Sequence, residues 1–429
     1  MATAHPFAAT CCALALACGT AWAADGDAPA GELRLRWDHS RAAVDGPLAA
    51  AQALDPNLAT SAPTNAVAEG LLRGKQRLSL GDSALVLSGE LLAWQQTPLH
   101  SPLPAPASSG LRVNELQAST ERGGWAFSAG KKVVGWDVGF GFRPNDVVQQ
   151  EARRSLLATP LEGRPLLQAE RFGSDSAVSL VWVNPQRLNS AAEASRGGGE
   201  SALALHSYHR LGAADWHGFA RIGAHTAASL GAAVDWVAGD EWSVHASVRA
   251  VQRRDGWRSA DLANPAALLR SNPWATDTLG HAGQWLVGAQ WTGTAQQSLM
   301  VEAWHDGTAL SDADWRSWGQ RNTALLHSPA PAVARAGNLA WQTTPFAAPN
   351  LRQDNLFVRA AWQPEAWTLS VDALLHPSDR GRVITASVQW QGDRWRLNAA
   401  WRVLGGPADS LLAQLPQRST ALLAATWSY

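Results

Sequence analysis

Lysine, tyrosine, methionine and cysteine are all scarce in this chain of 429 residues. The lysines are Lys75, Lys131 and Lys132, and tyrosine and methionine occur twice each. The cysteines are Cys11, Cys12 and Cys18, all close to the first residue. The sequence beyond them has no means of making a disulfide, a thiolate metal site or a cysteine nucleophile. Neither charge dominates, with 35 basic and 36 acidic residues, so the basic surplus of a nucleic-acid binder is missing. No long apolar run follows the N-terminal stretch, which excludes a membrane-spanning helix. Motifs such as HExxH, CxxC and a phosphate-cradling glycine loop are absent.

The apolar, small-residue stretch from Ala8 to Ala24 ends in Ala21-Trp22-Ala23, an A-x-A cleavage pattern. It reads as a signal peptide over residues 1–23, which leaves 24–429 as one domain. A lipid-attachment role for Cys18 is disfavoured, because Leu16 in Ala15-Leu16-Ala17 stands one place too late.

What is present is alternation with a period of two. Trp395, Leu397, Ala399, Trp401 and Val403 share one face, against Arg394, Arg396, Asn398, Ala400 and Arg402 on the other. Trp242 to Arg249, Leu356 to Trp362 and Trp367 to Ala373 repeat the pattern, while the stretches near Leu85 and Leu203 are ambiguous. Short turns fall near Gly81, Gly123, Gly173, Gly212, Gly239, Gly293, Pro364 and Gly392. Between them lie mostly longer Pro/Gly/Ser-rich joins at 39–69, 97–110, 134–164, 185–200, 225–229, 252–280, 306–352, 376–380 and 405–416. Short turns at one end and long loops at the other are the layout of a bacterial outer-membrane barrel. Eight turns and nine joins predict 18 strands, with 16 as the alternative. A closed barrel suits a bilayer, because every backbone N–H and C=O finds a partner and no edge is left open.

Tryptophan, at 23 residues, far outnumbers tyrosine. Trp125, Trp216, Trp242, Trp367 and Trp395 open strands just after short turns, and Trp236, Trp291, Trp362 and Trp390 close strands just before them. All nine fall on the face read as outward, which predicts a periplasmic aromatic girdle. Filling of a soluble core is the plainer reading, but it does not place rings beside turns on one face. The last strand closes with Trp427 and Tyr429, which resembles the terminal strand read by the barrel-assembly machinery.

The most distinctive segment reads Gly130-Lys131-Lys132-Val133-Val134-Gly135-Trp136-Asp137, then Gly139-Phe140-Gly141-Phe142-Arg143-Pro144-Asn145-Asp146. It resembles a stretch of alginate-export-type and related monomeric porins, which implies a gram-negative outer-membrane porin-like barrel. The resemblance covers about a tenth of the chain. Asp137 stands where such porins often have glycine, so no alginate role carries over.

The join at 134–164 is long for a plain turn. Folded into the lumen, it would set Arg143, Asp146, Glu151, Arg153, Arg154, Glu162 and Arg164 across the water path. Opposed charges there would sort solutes by charge and dipole; the plainer reading is a solvated outer loop. Arg34, Arg36, Arg221, Arg249, Arg359, Arg394, Arg396 and Arg402 fall on the face read as inward. On the lipid face an arginine would cost about 2–4 kcal/mol at mid-depth, so these eight are expected to face water, paired with Asp235, Glu302 and Asp372. His305 with Asp306, Asp312 and Asp314 suggests a cation or acid–base site, but a solvated acidic loop fits better.

The sequence therefore predicts an all-β, transmembrane antiparallel barrel in a gram-negative outer membrane. Its expected function is a porin for passive or substrate-selective diffusion of small hydrophilic solutes. No catalytic or metal site and no cofactor is expected, and the partners are outer-membrane lipid, the assembly machinery and the solute. An outer-membrane enzyme and a soluble secreted β-rich binding protein are the alternatives.

Overall fold

A computed structural model describes residues 26–58, 64–80, 83–99, 107–149, 156, 160–184, 196–259 and 264–429. The signal peptide lies outside these residues. Among them, twenty strands follow one another. The first eleven are β1 (Gly26–Ala42), β2 (Thr64–Leu80), β3 (Ser83–Leu99), β4 (Ser108–Arg122), β5 (Trp125–Lys132), β6 (Arg164–Phe172), β7 (Ser176–Val183), β8 (Ala202–Leu211), β9 (Ala214–Gly223), β10 (Ala227–Val237) and β11 (Trp242–Val251). A hairpin of β12 (Arg254–Ser259) and β13 (Trp274–Leu279) stands apart as its own two-stranded sheet. The rest are β14 (Ala282–Thr292), β15 (Gln297–Asp306), β16 (Asp354–Trp362), β17 (Trp367–His376), β18 (Gly381–Gln391), β19 (Trp395–Gly405) and β20 (Gln417–Ser428).

Each strand of the main sheet pairs antiparallel with the next, and β11 pairs with β14 past the hairpin. The last strand returns to the first, in register from Glu32 opposite Ser428 to His39 opposite Ala421. The result is a closed barrel of 18 strands, the larger of the two expected numbers. Turns at the short-turn end are built for hairpins. Gly123 and Gly124 have φ of +60° and +75°, as a tight turn matching the twist of its strands requires.

The wall is apolar outside and polar inside. Leu35, Ile222, Leu230, Val248, Val371 and Leu423 are exposed on the outer face, while charged and amide side chains line the inner one. Where alternation was ambiguous, the inner face is itself apolar. Val67, Leu71 and Leu92 point inward beside Arg36, Glu32 and Arg112 and are nearly fully buried. Leu166, Val181, Val183 and Ala204 also point inward, beneath the chain that follows β5.

The long joins are not all irregular. Helices Gly46–Leu54, Asp312–His327 and Ala332–Trp341 sit in two of them. The Asp312–His327 helix opens with a capping box: the Asp314 N–H donates to the Ser311 hydroxyl, and the Ser311 N–H donates to the Asp314 carboxylate at 2.9 Å. Asp314 is thus a helix cap, Asp312 pairs with Arg352 at 2.9 Å, and Asp306 accepts from Gln284, the Thr308 N–H and Asn350. Trp315, Trp318, Phe346 and Leu351 pack with Trp274 and with Leu411 and Leu412. A second cluster joins Ala51 to Leu325, Ala336 and Leu339. Ala51 belongs to the join after β1 and Leu339 to the join after β15, six strands away around the ring. An 18-stranded barrel with strands about 4.8 Å apart and tilted near 40° is about 35 Å across. Loops rooted that far apart touch only by reaching across the mouth, so this end carries a packed cap.

Candidate pore-lining site

After β5 the chain turns inward and runs along the inner wall through residues 133–149. Val134, Val147 and Val148 pack on Leu166, Val181, Val183 and Ala204. Beyond that contact the attachment is polar. Asp137 accepts the Asn145 N–H at 2.6 Å, the Val138 N–H at 2.9 Å and the Ser247 hydroxyl at 2.8 Å. Asp146 accepts the N–H groups of Trp136 and Asp137 at 2.9 and 3.1 Å. The Asn145 amide donates to the Ser247 hydroxyl and the Val248 carbonyl, and Arg249 donates to the Pro144 carbonyl.

The farthest anchor is Glu302 on β15, fully buried. It accepts the Phe140 N–H at 2.7 Å, the Gly141 N–H at 2.6 Å and His245 Nε2 at 2.8 Å. A buried carboxylate is tolerable because such donors replace the lost water. Two inward glycines make room. A Cβ at Gly231 would overlap the Asn145 amide, and one at Gly288 would overlap the His245 ring. Burial pushes the Asp137 and Asp146 carboxyls above the usual carboxylate range, against the pull of the N–H donors and Arg143.

The loop has two faces. Asp137 meets the wall at Ser247, and Asp146 is buried on the loop's own N–H groups. Gly135 and Phe140 are exposed, and Trp136, Val138, Phe142 and Arg143 are half-buried, with Trp136 stacked on His206 and Phe142 on Trp304 of the wall. Phe140 lies 5.7 Å from Phe357, and the Arg359 guanidinium sits 5.5 Å over its ring. Trp136 stacks on His206, which stacks on His217 and Phe219.

Among the described loop charges, Asp146, Glu162 and Arg164 are therefore not ranged across open water. Arg143 donates to the Gly139 carbonyl and lies 3.8 Å from Asp146, and Asp146 is turned to the N–H groups of Trp136 and Asp137. Glu162 pairs with Lys131 at 2.5 Å and stands 3.8 Å from Arg112, and Arg164 is buried at the start of β6. Glu151, Arg153 and Arg154 lie outside the described residues.

Most arginines read as inward are paired along the wall. Arg34 pairs with Glu69 at 3.3 Å, Arg36 with Asp38 at 3.4 Å and Arg221 with Glu200 at 2.7 Å. Arg359 pairs with Asp372 at 3.0 Å and Arg396 with Glu32 at 3.4 Å. Arg402 donates to the Thr385 hydroxyl. Arg249 holds the loop, and Arg394 sits exposed in the turn before β19. Of the expected carboxylates, Asp372 takes an arginine, whereas Glu302 takes the loop backbone.

On the outer wall, Trp216, Trp236, Trp242, Trp362, Trp367 and Trp395 are about half exposed, and Trp125, Trp291 and Trp390 are half-buried. Trp242 faces Trp291, Trp367 faces Trp390 and Trp395 faces Trp427 across strand pairs. Trp427 and Tyr429 lie with ring centroids 5.2 Å apart. A second outward tier went unnoticed in the sequence: Trp37, Trp182, Trp285 and Trp401 are exposed nearer the long-loop end. Trp285 and Trp401 stand six residues from Trp291 and Trp395, about 20 Å along a strand.

The latch residues Asp137, Asn145, Ser247 and Glu302 were also missed as a group. Their signals were inward glycines within strands and a β7 that is apolar on both faces, as strands covered on both sides are.

No protein-family model matches the sequence, and no curated protein does. Among solved structures, variants of the Rhodopseudomonas blastica porin match over 94% of this chain and 99% of theirs, at 9% identity. Their TM-scores are 0.44 for a three-substitution variant and 0.43 for another. The barrel assignment rests on strand register and closure, not on these likenesses.

Proposed function

We propose that the chain is an outer-membrane channel through which small hydrophilic solutes diffuse, with residues 133–149 forming its constriction. The observation that carries this reading is a closed barrel with its apolar face outside and its charged face inside, holding a latched loop against the inner wall. Barrels of 16–18 strands enclose an aqueous path, and wet interiors with apolar exteriors are what a bilayer selects. The tryptophan tiers support a membrane position. The constriction has an unusual composition. The loop offers Trp136, Phe140, Phe142 and Arg143 to the path, and paired charges of both signs line the wall elsewhere. Size and shape therefore weigh more in passage than strong ion selectivity. The test is single-channel recording of the purified protein in a planar bilayer. Discrete, ohmic steps with weak preference between cation and anion support the reading. A folded protein that inserts without conducting sinks it.

A further inference from the structure

One row of side chains crosses the inner wall beneath the cap. On neighbouring strands Arg359, Asp372, Thr385, Arg402, Thr420 and Ser40 stand directly opposite one another, from β16 through β20 to β1. Five strand steps of about 4.8 Å make the row about 24 Å long. It mixes donors and acceptors. Arg359 meets both Asp372 oxygens through Nη1 alone, at 3.0 and 3.1 Å, so its other N–H groups are left to donate. Arg402 Nε donates to the Thr385 hydroxyl at 3.0 Å, and the Ser40 and Thr420 hydroxyls lie 3.1 Å apart. Arg359 and Asp372 are 27% and 24% exposed, so a solute can reach them.

The rows on either side differ. Toward the long-loop end stand Phe357, Leu374, Val383 and Leu404, and Val383 packs against the tryptophan core of the cap. Toward the short turns, Ala361 and Ala400 flank the Ser370 and Ser387 hydroxyls, which bond to each other at 2.7 Å. The polar row is thus bounded by apolar or self-satisfied rows. At its β16 end lies the constriction loop. There the Arg359 guanidinium sits 5.5 Å over the exposed Phe140 ring, with Phe357 5.7 Å from that ring.

This combination suits one solute chemistry. A saccharide ring has apolar C–H faces and a rim of hydroxyls that both donate and accept. The faces can rest on aromatic rings and apolar rows. The hydroxyls need closely spaced partners, because a polar group dried without one is costly. A full charge fits less well. An anion drawn to Arg359 or Arg402 meets Asp372 between them, and a cation drawn to Asp372 meets an arginine on either side.

We propose that this row and the Phe140 ring form a binding track for neutral saccharides, lying beneath the cap and ending at the constriction. The inference rests on the channel reading above and names its solute class.

Single-channel recording of the full chain with cellobiose tests it. The expected result is reversible interruptions of the open-channel current, more frequent as cellobiose is raised. Cellobionate, its carboxylate counterpart, should bind about tenfold more weakly or less. Asp372→Asn removes the charged acceptor, and Phe140→Leu removes the ring while filling nearly the same space. Each should weaken cellobiose binding by about tenfold. Asp235→Asn, on β10 opposite His245, should bind cellobiose as the wild type does. Heat-modifiable migration on gels verifies folding of each variant. Four results overturn the track and leave the channel reading standing: open channels that cellobiose never interrupts, binding unchanged in Asp372→Asn or Phe140→Leu, equal loss in Asp235→Asn, or tighter binding of cellobionate. Absence of any current from folded, inserted wild type contradicts the channel reading itself.

Discussion

The lumen loop and the outer cap are both made of chain between strands, yet they are held by opposite physics. Residues 133–149 rest Val134, Val147 and Val148 on the wall and are otherwise tied to the barrel by polar bonds. These run from Ser247 to Asp137, from the Asn145 amide to Ser247 and Val248, and from the Phe140 and Gly141 N–H groups to Glu302. Asp137 and Asp146 brace the loop by taking its own N–H groups. The cap is tied to itself by tryptophans and leucines: Trp315, Trp318, Leu339 and Leu411. A loop on a wet wall has water competing for every contact, so directional, charge-assisted bonds must fix it. A cap beyond the rim of the barrel has enough chain to build its own small core. One loop should therefore fail by losing a bond, the other by losing volume.

The two largest effects, of similar size, are expected at Trp318 in the cap and at Glu302 on the wall. Trp318→Ala removes a side chain 2% exposed, and such truncations cost about 3–5 kcal/mol. Limited proteolysis should then cleave within 306–353 while heat-modifiable migration of the barrel is unchanged. If the barrel unfolds with the cap, the two regions are not independent. Next comes the latch. Glu302→Ala leaves two backbone N–H groups and His245 without their acceptor, at about 1–3 kcal/mol for each buried donor. Open-channel current should become larger and noisier, with the cap's protease resistance intact. Unchanged current would show that the loop is held elsewhere.

Acid should separate the two regions more gently. In the cap region, partial burial of Asp379 raises its carboxyl. The N–H groups of Leu411 and Gly381 and the Arg352 guanidinium outweigh this and hold it below the usual carboxylate range. A depressed folded value contributes stability above the unfolded value of about 3.9, lost as pH falls through the folded one. Asp137 and Asp146 are raised, so their contribution is full at low pH and shrinks as pH rises through their folded values. Below about pH 4 the cap should become protease-sensitive before the loop detaches. Asp379→Asn should abolish that pH dependence; if it persists, another group carries it.

The barrel was legible because a lipid-facing wall forces strict alternation, and short turns against long joins set the strand number. Trp395 to Val403 shows both features at once. The loop's path was hidden because its footprint looks like faulty alternation: Val181 and Val183 are apolar on the inner face only because Val147 and Val148 cover them. Its charges misled in type rather than place. Asp146 reads as a lumen charge, but a carboxylate beside free N–H groups turns to them. The cap was hidden because the Asp312–His327 helix is largely polar, and its Ser311-x-x-Asp314 box reads first as an acidic loop.

The most direct test of a lumen narrowed by residues 133–149 is single-channel current from single-cysteine variants treated with a small water-soluble thiol reagent. Beyond the N-terminal cysteines the chain has none of its own to interfere. Phe140→Cys sits on the loop's lumen face, so modification should reduce the current in one step, by about half or more for a group at the narrowest point. Leu397→Cys, on the outer wall and 45% exposed there, should show no change. A full, unaltered current from modified Phe140→Cys would contradict the account.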